Sequence, residues 1–79
     1  MDKPTGDAIH EIIMELERAE KKHPAWPKDV VHAAAIVNEE AGELIRAALQ
    51  YQYEDGESKE LVKEAIHTAA TCIRFLKNL

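Results

Sequence analysis

Two short acidic motifs contain the residues of this chain that are best suited to metal chemistry. "NEEAGEL" sets Glu39, Glu40 and Glu43 in an alanine- and valine-rich run, and "EAIH" sets Glu64 and His67 three residues apart. On a helix, side chains at i and i+3 lie on the same face, so both members of such a pair can reach one ion. Carboxylate oxygens are the ligands of hard cations such as Mg²⁺, which keep positions open for water and phosphates.

The three acids of the first motif differ in helical position. With Val30 at 0° and about 100° per residue, Glu40 falls at about 280° and Glu43 at about 220°, on a partly apolar side. Glu39 falls at about 180° and is predicted to lie on the surface. Burying an ionised carboxylate is costly unless a cation or donor meets it. Glu40 and Glu43 are therefore either boundary residues that reach water or half of a metal site.

The second motif falls in a polar arc of its helix. Glu64 and His67 share this arc with Arg74, a pattern typical of a solvated face. The two motifs meet only if this face turns toward the preceding helix or a second subunit. Gly42, within the first motif, weakens its helix by about 1 kcal/mol relative to Ala. Its presence indicates a close neighbour or tolerated drift.

The first of three predicted helices follows a Thr5 or Asp7 cap and ends near Lys22, because neither Pro24 nor Pro27 can continue it. The second helix begins near Pro27, whose fixed φ suits a first helical position. The apolar stripe of the first helix consists of Ile9, Ile12, Ile13, Leu16 and Ala19.

The second helix is predicted to end near Tyr53, with Gly56 in a left-handed conformation. Ser58 then caps the third helix, which has Glu60 in its first turn and reaches nearly to Leu79. The short turn predicts an antiparallel hairpin of helices two and three. The predicted core stripe of the second helix consists of Val30, Ala34, Val37, Ala41, Leu44, Ile45 and Ala48.

The composition predicts one all-α domain spanning residues 1–79, with 46% hydrophobic and 32% charged residues. The net charge of -5 and scattered basic residues argue against binding to nucleic acid or anionic membranes. Cys72 is the only cysteine, which excludes an intramolecular disulfide. No apolar run approaches a membrane span, and "MDKPTGD" lacks a signal-peptide core, so we expect a cytoplasmic protein.

Together the motifs resemble those of the MazG-like superfamily of all-α nucleoside triphosphate pyrophosphohydrolases, whose pattern is EExxE followed by ExxD. Here "EEAGE" is followed after 20 residues by "EAIH". The flanks "HPAWPKDVVHAAAIVNEEAGELIRAAL" and "EAIHTAATCIRFL" look like those of small phage and prophage members. The resemblance extends from about Glu17 to Leu79.

The resemblance implies Mg²⁺-dependent hydrolysis of a nucleoside triphosphate, often a deoxynucleotide, to the monophosphate and pyrophosphate. Mn²⁺ is the alternative ion. The implied metal ligands are Glu40, Glu43, Glu64 and His67. Glu39 or Glu43 is the expected catalytic base. The expected substrate contacts come from an aromatic ring and nearby cationic or imidazole side chains, namely Trp26, His32, Arg46, Lys63 and Arg74.

His67 departs from the family pattern, which has Asp at this position. Imidazole removes one negative charge and suits Mn²⁺, Zn²⁺ or iron better than Mg²⁺. The departure is also compatible with a residue beside the ligands or with lost activity. Because fuller family members add a fourth helix, a second subunit is expected to complete the bundle, giving a homodimer or a dimer of dimers.

Two other functions fit the same residues. A homodimer of the hairpin would supply two lone glutamates and two Glu-x-x-His pairs, the ligand inventory of a di-iron helical bundle. A non-catalytic helical module that binds nucleotides or a partner is the third interpretation.

Overall fold

The computed structural model describes residues 3–79, which form three α-helices and no strand. The helices are α1 (Thr5–Lys22), α2 (Val30–Tyr53) and α3 (Ser58–Lys77). The prediction of an all-α chain with three helices is confirmed, and the predicted ends of the first two helices match. In this part of the chain no helix combines the length and apolar character needed to cross a membrane.

The helix starts differ from the predicted ones. α2 begins at Val30 rather than near Pro27, because the carboxylate of Asp29 accepts hydrogen bonds from the backbone N–H groups of Val31 and His32 at 2.8 and 3.2 Å. The predicted caps of the other two helices are wrong. α1 follows Pro4 and α3 follows Glu57, and neither start has a side-chain capping hydrogen bond.

The turn between α2 and α3 also differs in one residue. Asp55 takes the left-handed conformation with φ of 59°, whereas the φ of Gly56 is not positive. Gly56 is required for space instead: its N–H donates to the carbonyl of Gln50 at 2.8 Å, and a Cβ here would lie 2.8 Å from the Gln50 carbonyl carbon. The helix therefore closes with its left-handed residue one position earlier than predicted.

α3 is the central helix of the fold. It packs antiparallel to α2, and the hydroxyl of Thr68 donates to the carbonyl of Glu40 at 3.1 Å across this contact. α1 packs on another side of α3, while α1 and α2 have no reported contact with each other between described residues. A cleft therefore opens between α1 and α2, with α3 as its floor.

The hydrophobic core is small. The buried apolar residues among those described are Leu16, Ala33, Ala47 and Ala70. The predicted core stripe of α2 is partly wrong, because Val30 is 52% exposed and Ile45 is 62% exposed. α3 covers the side of α2 that bears Ala33 and Ala47, which lies next to the predicted stripe rather than at its centre. On α1, likewise, Leu16 is buried while Ile9 and Ile13 are exposed.

Candidate metal centre

Glu40 of α2 and Glu64 and His67 of α3 form a cluster in the fold. One potential ligand atom from each lies within 4.8 Å of the other two. The polar arc of α3 that carries "EAIH" thus faces α2, as a shared site requires. The cluster joins both sequence motifs, and its i, i+3 pair is used in full.

Two carboxylate oxygens of the cluster are buried without a hydrogen bond. Oε2 of Glu40 and Oε2 of Glu64 each expose less than 1 Å² and have no hydrogen-bond partner among residues 3–79. A buried acceptor without a donor costs about 1–3 kcal/mol, and more when it is charged. A cation between the two oxygens would remove this penalty, so the residues present fit a metal ion.

Glu43 adds negative charge beside the cluster, although the residue itself is exposed. Burial raises the pKa of Glu40 above its ordinary value, and the charge of Glu43 raises it further. Burial likewise raises the pKa of Glu64, together with a hydrogen bond to Glu43 and the charge of Glu43. The three carboxyl groups therefore resist full ionisation together, as carboxylates do when they are crowded without a counter-ion.

A fourth residue, Glu15 of α1, approaches the cluster and was missed by the sequence analysis. Its Oε2 lies 3.5 Å from Nε2 of His67, and its side chain is only 15% exposed. Arg18 holds Glu15 through two hydrogen bonds of 2.7 Å and lowers the pKa of its carboxyl. The available signal was the position of Glu15, next to Leu16 on the boundary of the apolar stripe.

A cavity of about 390 Å³ extends from the cluster along the cleft. Its lining includes Glu40 and His67 at the acidic end and Trp26 at the end near the α1–α2 loop. His67 and Arg74 are seven residues apart on α3, so this floor is about 10 Å long. The volume falls in the range of small-molecule sites, about 300–1,000 Å³.

Arg74 secures the loop end of the cavity. Although charged, it is only 8% exposed. Its guanidinium donates to the carbonyl of His23 and, at 3.3 Å, to that of Ala25, and it lies 4.9 Å from the ring centroid of half-buried Trp26. The predicted substrate-binding residues Arg74 and Trp26 thus line one cavity, and the contacts of Arg74 also fix the loop.

The other predicted site residues lie outside the cluster. Glu39, His32, Arg46 and Lys63 are exposed. Lys63 forms a surface ion pair with Glu60 at 3.8 Å. The expected close neighbour of Gly42 is absent from the described chain, since a Cβ built there meets nothing within 4 Å.

The donor set indicates which ions fit. Two carboxylates and one imidazole suit Mn²⁺, Fe²⁺ or Zn²⁺, whereas Mg²⁺ prefers oxygen ligands only. The 3.5 Å contact of Nε2 with Glu15 leaves Nδ1 of His67 as the nitrogen available to an ion.

Comparisons of the chain with protein-family models, with curated proteins and with solved structures gave no significant match.

Proposed function

We propose that this chain is a metal-dependent nucleoside triphosphate pyrophosphohydrolase of the MazG-like type. The observation that carries the proposal is the pair of buried carboxylate oxygens on Glu40 and Glu64, which have no donor and lie beside His67 at one end of the cavity. Stability alone does not account for such a pair, because hydrogen-bonded or apolar side chains would avoid its desolvation penalty.

Glu40, Glu64 and His67 would hold the ion, with Glu43 at the edge of the same cluster. A divalent ion here supplies charge neutralisation for phosphates and lowers the pKa of a bound water. Glu43 is the better of the two proposed bases, because its carboxylate contacts Glu40 and Glu64 while Glu39 is exposed. Its proximity to other carboxylates favours uptake of a proton from water.

Trp26 supports a nucleotide as the substrate class. It is the only tryptophan, is half-buried and lines the cavity about two helical turns from the acidic cluster. The face of an aromatic ring can stack on a nucleobase of any sequence. A nucleotide with its phosphates at the cluster and its base toward Trp26 follows the length of the cavity.

The test is pyrophosphate release from a panel of ribo- and deoxyribonucleoside triphosphates with Mg²⁺ and with Mn²⁺. We expect at least one nucleotide to be hydrolysed, with Glu40→Gln and Glu64→Gln each lowering kcat by about 100-fold or more. Glu60→Gln is the matched control, because Glu60 is an exposed acid of the same helix. Wild-type protein that binds the metal and releases no pyrophosphate from any nucleotide would refute the enzyme proposal.

The second candidate is a di-iron helical bundle, and one observation favours it. Glu64 and His67 reach the same cluster as a lone glutamate from α2, which is half of the required ligand set. Anaerobic loading with Fe²⁺ followed by oxygen separates the two candidates. An oxo-bridged absorption band in the visible supports the di-iron site, whereas a folded sample that takes up no iron excludes it.

A further inference from the structure

One face of α2 carries no charge and contacts nothing in the described chain. We define the α2 face as the exposed residues Val30, Ala34, Asn38, Gly42, Ile45 and Leu49. At about 100° per residue they fall within an arc of about 120°, and the other residues of that arc are uncharged too. Val30, Ile45 and Leu49 are 52%, 62% and 49% exposed. This is an apolar helix face without a partner.

The α2 face continues onto α3. An apolar groove of about 340 Å³ is lined by Ala34 and Val37 of α2 and by Cys72, Phe75 and Leu76 of α3. Leu76 is 67% exposed and Cys72 is also exposed. The uncovered surface therefore spans both helices of the hairpin.

We propose that the α2 face and this groove bind the same surface of a second copy of the chain. The inference is independent of the proposed function. α2 has 24 residues and is therefore about 36 Å long and 10 Å wide. With the adjoining strip of α3, the face offers roughly 700 Å², close to the roughly 800 Å² per partner of a stable interface.

The distribution of charge favours a copy of the same chain as the occupant. At a net charge of -5, two copies repel through most of their surfaces. A two-fold contact through an uncharged face sets no like charges against each other. A lipid surface is a poorer occupant, because membrane-bound amphipathic helices are flanked by many lysines and arginines.

The small core gives a second argument. No large side chain of residues 3–79 is fully buried within one copy. Chains of this size bury a limited share of their surface and often gain stability by association. Gly42 fits such a contact, since a Cβ there meets only open space in one copy and glycine permits close approach of a second helix.

The experiment measures the mass of the purified chain by light scattering and its dissociation constant by sedimentation. We expect a species of about twice 8.9 kDa. Ile45→Glu should raise the dissociation constant at least tenfold, about 1.4 kcal/mol or more, because it buries an unpaired charge in the contact. Ile9→Glu is the matched control: Ile9 of α1 is 51% exposed and lies outside the α2 face.

Gly42→Glu tests the same surface in a variant that keeps its fold. Glutamate is a better helix former than glycine, and nothing in one copy obstructs its side chain. We expect the same loss of association with unchanged helical circular dichroism.

A monomeric wild type would overturn the proposal, as would association that survives both variants or is lost equally in Ile9→Glu. A monomer that sediments with vesicles of phosphatidylcholine and phosphatidylserine would assign the surface to lipid instead. A four-chain species that both variants reduce to smaller species would support the proposed contact.

Discussion

Nε2 of His67 lies 3.5 Å from Oε2 of Glu15, 52 residues away in the sequence. This contact connects α1 to an acidic cluster that is otherwise built from α2 and α3. Arg18 fixes Glu15 from the other side with paired hydrogen bonds. Carboxylates that contact the second nitrogen of a metal-binding histidine orient its ring and select its tautomer.

Glu15→Gln should therefore lower the affinity of the protein for Mn²⁺ by about tenfold or more. Titration calorimetry measures this change, and ¹⁵N NMR of the metal-free protein tests the contact separately. We expect the neutral His67 ring of the wild type to carry its proton on Nε2. Glu20→Gln is the control, because Glu20 is another acid of α1 and pairs with Lys77 at 3.0 Å. A proton on Nδ1 with unchanged Mn²⁺ affinity would contradict the orienting role.

Metal-free protein should lose stability as the pH rises from about 5 to about 7. Both Glu40 and Glu64 have a pKa raised above the ordinary 4.5 in the folded state. Folding then favours their protonated forms, and this contribution is lost as the pH passes through the folded pKa values. The lowered pKa of Glu15 acts in the opposite sense, because its contribution is lost as the pH falls below 4.5.

Urea denaturation in the presence of a chelator measures this dependence. Glu64→Gln should reduce the slope above pH 4.5 and raise the melting temperature of the metal-free protein by about 3–5 °C, because the amide can donate to a neighbouring carboxylate. The same variant should lose the stabilisation that Mn²⁺ gives to the wild type. If its pH dependence matches that of the wild type, the acid cluster is not the cause.

His67→Asp should increase the affinity for Mg²⁺ by about tenfold and reduce the preference for Mn²⁺ over Mg²⁺. The change replaces an imidazole with a charged oxygen ligand, which the harder ion prefers. Competition titrations with the two ions give both values. His32→Asp adds the same charge on an exposed position of α2 and serves as the control. Unchanged Mg²⁺ binding would show that His67 is not a ligand.

Arg74→Ala should destabilise the fold by about 2–4 kcal/mol. The change removes the hydrogen bonds to the carbonyls of His23 and Ala25 and leaves the ring of Trp26 without its cation. Chemical denaturation followed by Trp26 fluorescence measures the loss. Arg46→Ala should stay within about 0.5 kcal/mol, because Arg46 is exposed. Equal effects in the two variants would exclude the anchoring role of Arg74.

The number of helices and their ends could be predicted because proline leaves strong local signals. Pro24 and Pro27 determine the end of α1 at Lys22. The starts were less predictable, because Asp29 caps α2 in competition with the preference of proline for a first helical position. Asp55 rather than Gly56 takes the positive φ, and a local pattern does not distinguish the two neighbours.

The site was partly predictable for a similar reason. Spacing placed Glu40 and Glu43 on one side of their helix and paired Glu64 with His67, and these residues do meet. Glu15 could not be found this way, because helical spacing says nothing about which distant helix a polar face meets. The apolar stripe of α2 is also wider than the side that α3 covers, so its pattern cannot separate intrachain packing from a surface left for another molecule.

The central position of α3 sets an order for folding. The α2–α3 hairpin closes through a short turn, whereas docking α1 joins residues about 50 positions apart, such as Glu15 and His67, and requires a larger loop closure. We expect the hairpin to form first and α1 to be the first element lost in partial unfolding. Glu40, Glu64 and His67 would then assemble before Glu15 arrives, and amide protons of α1 would exchange faster than those of α3.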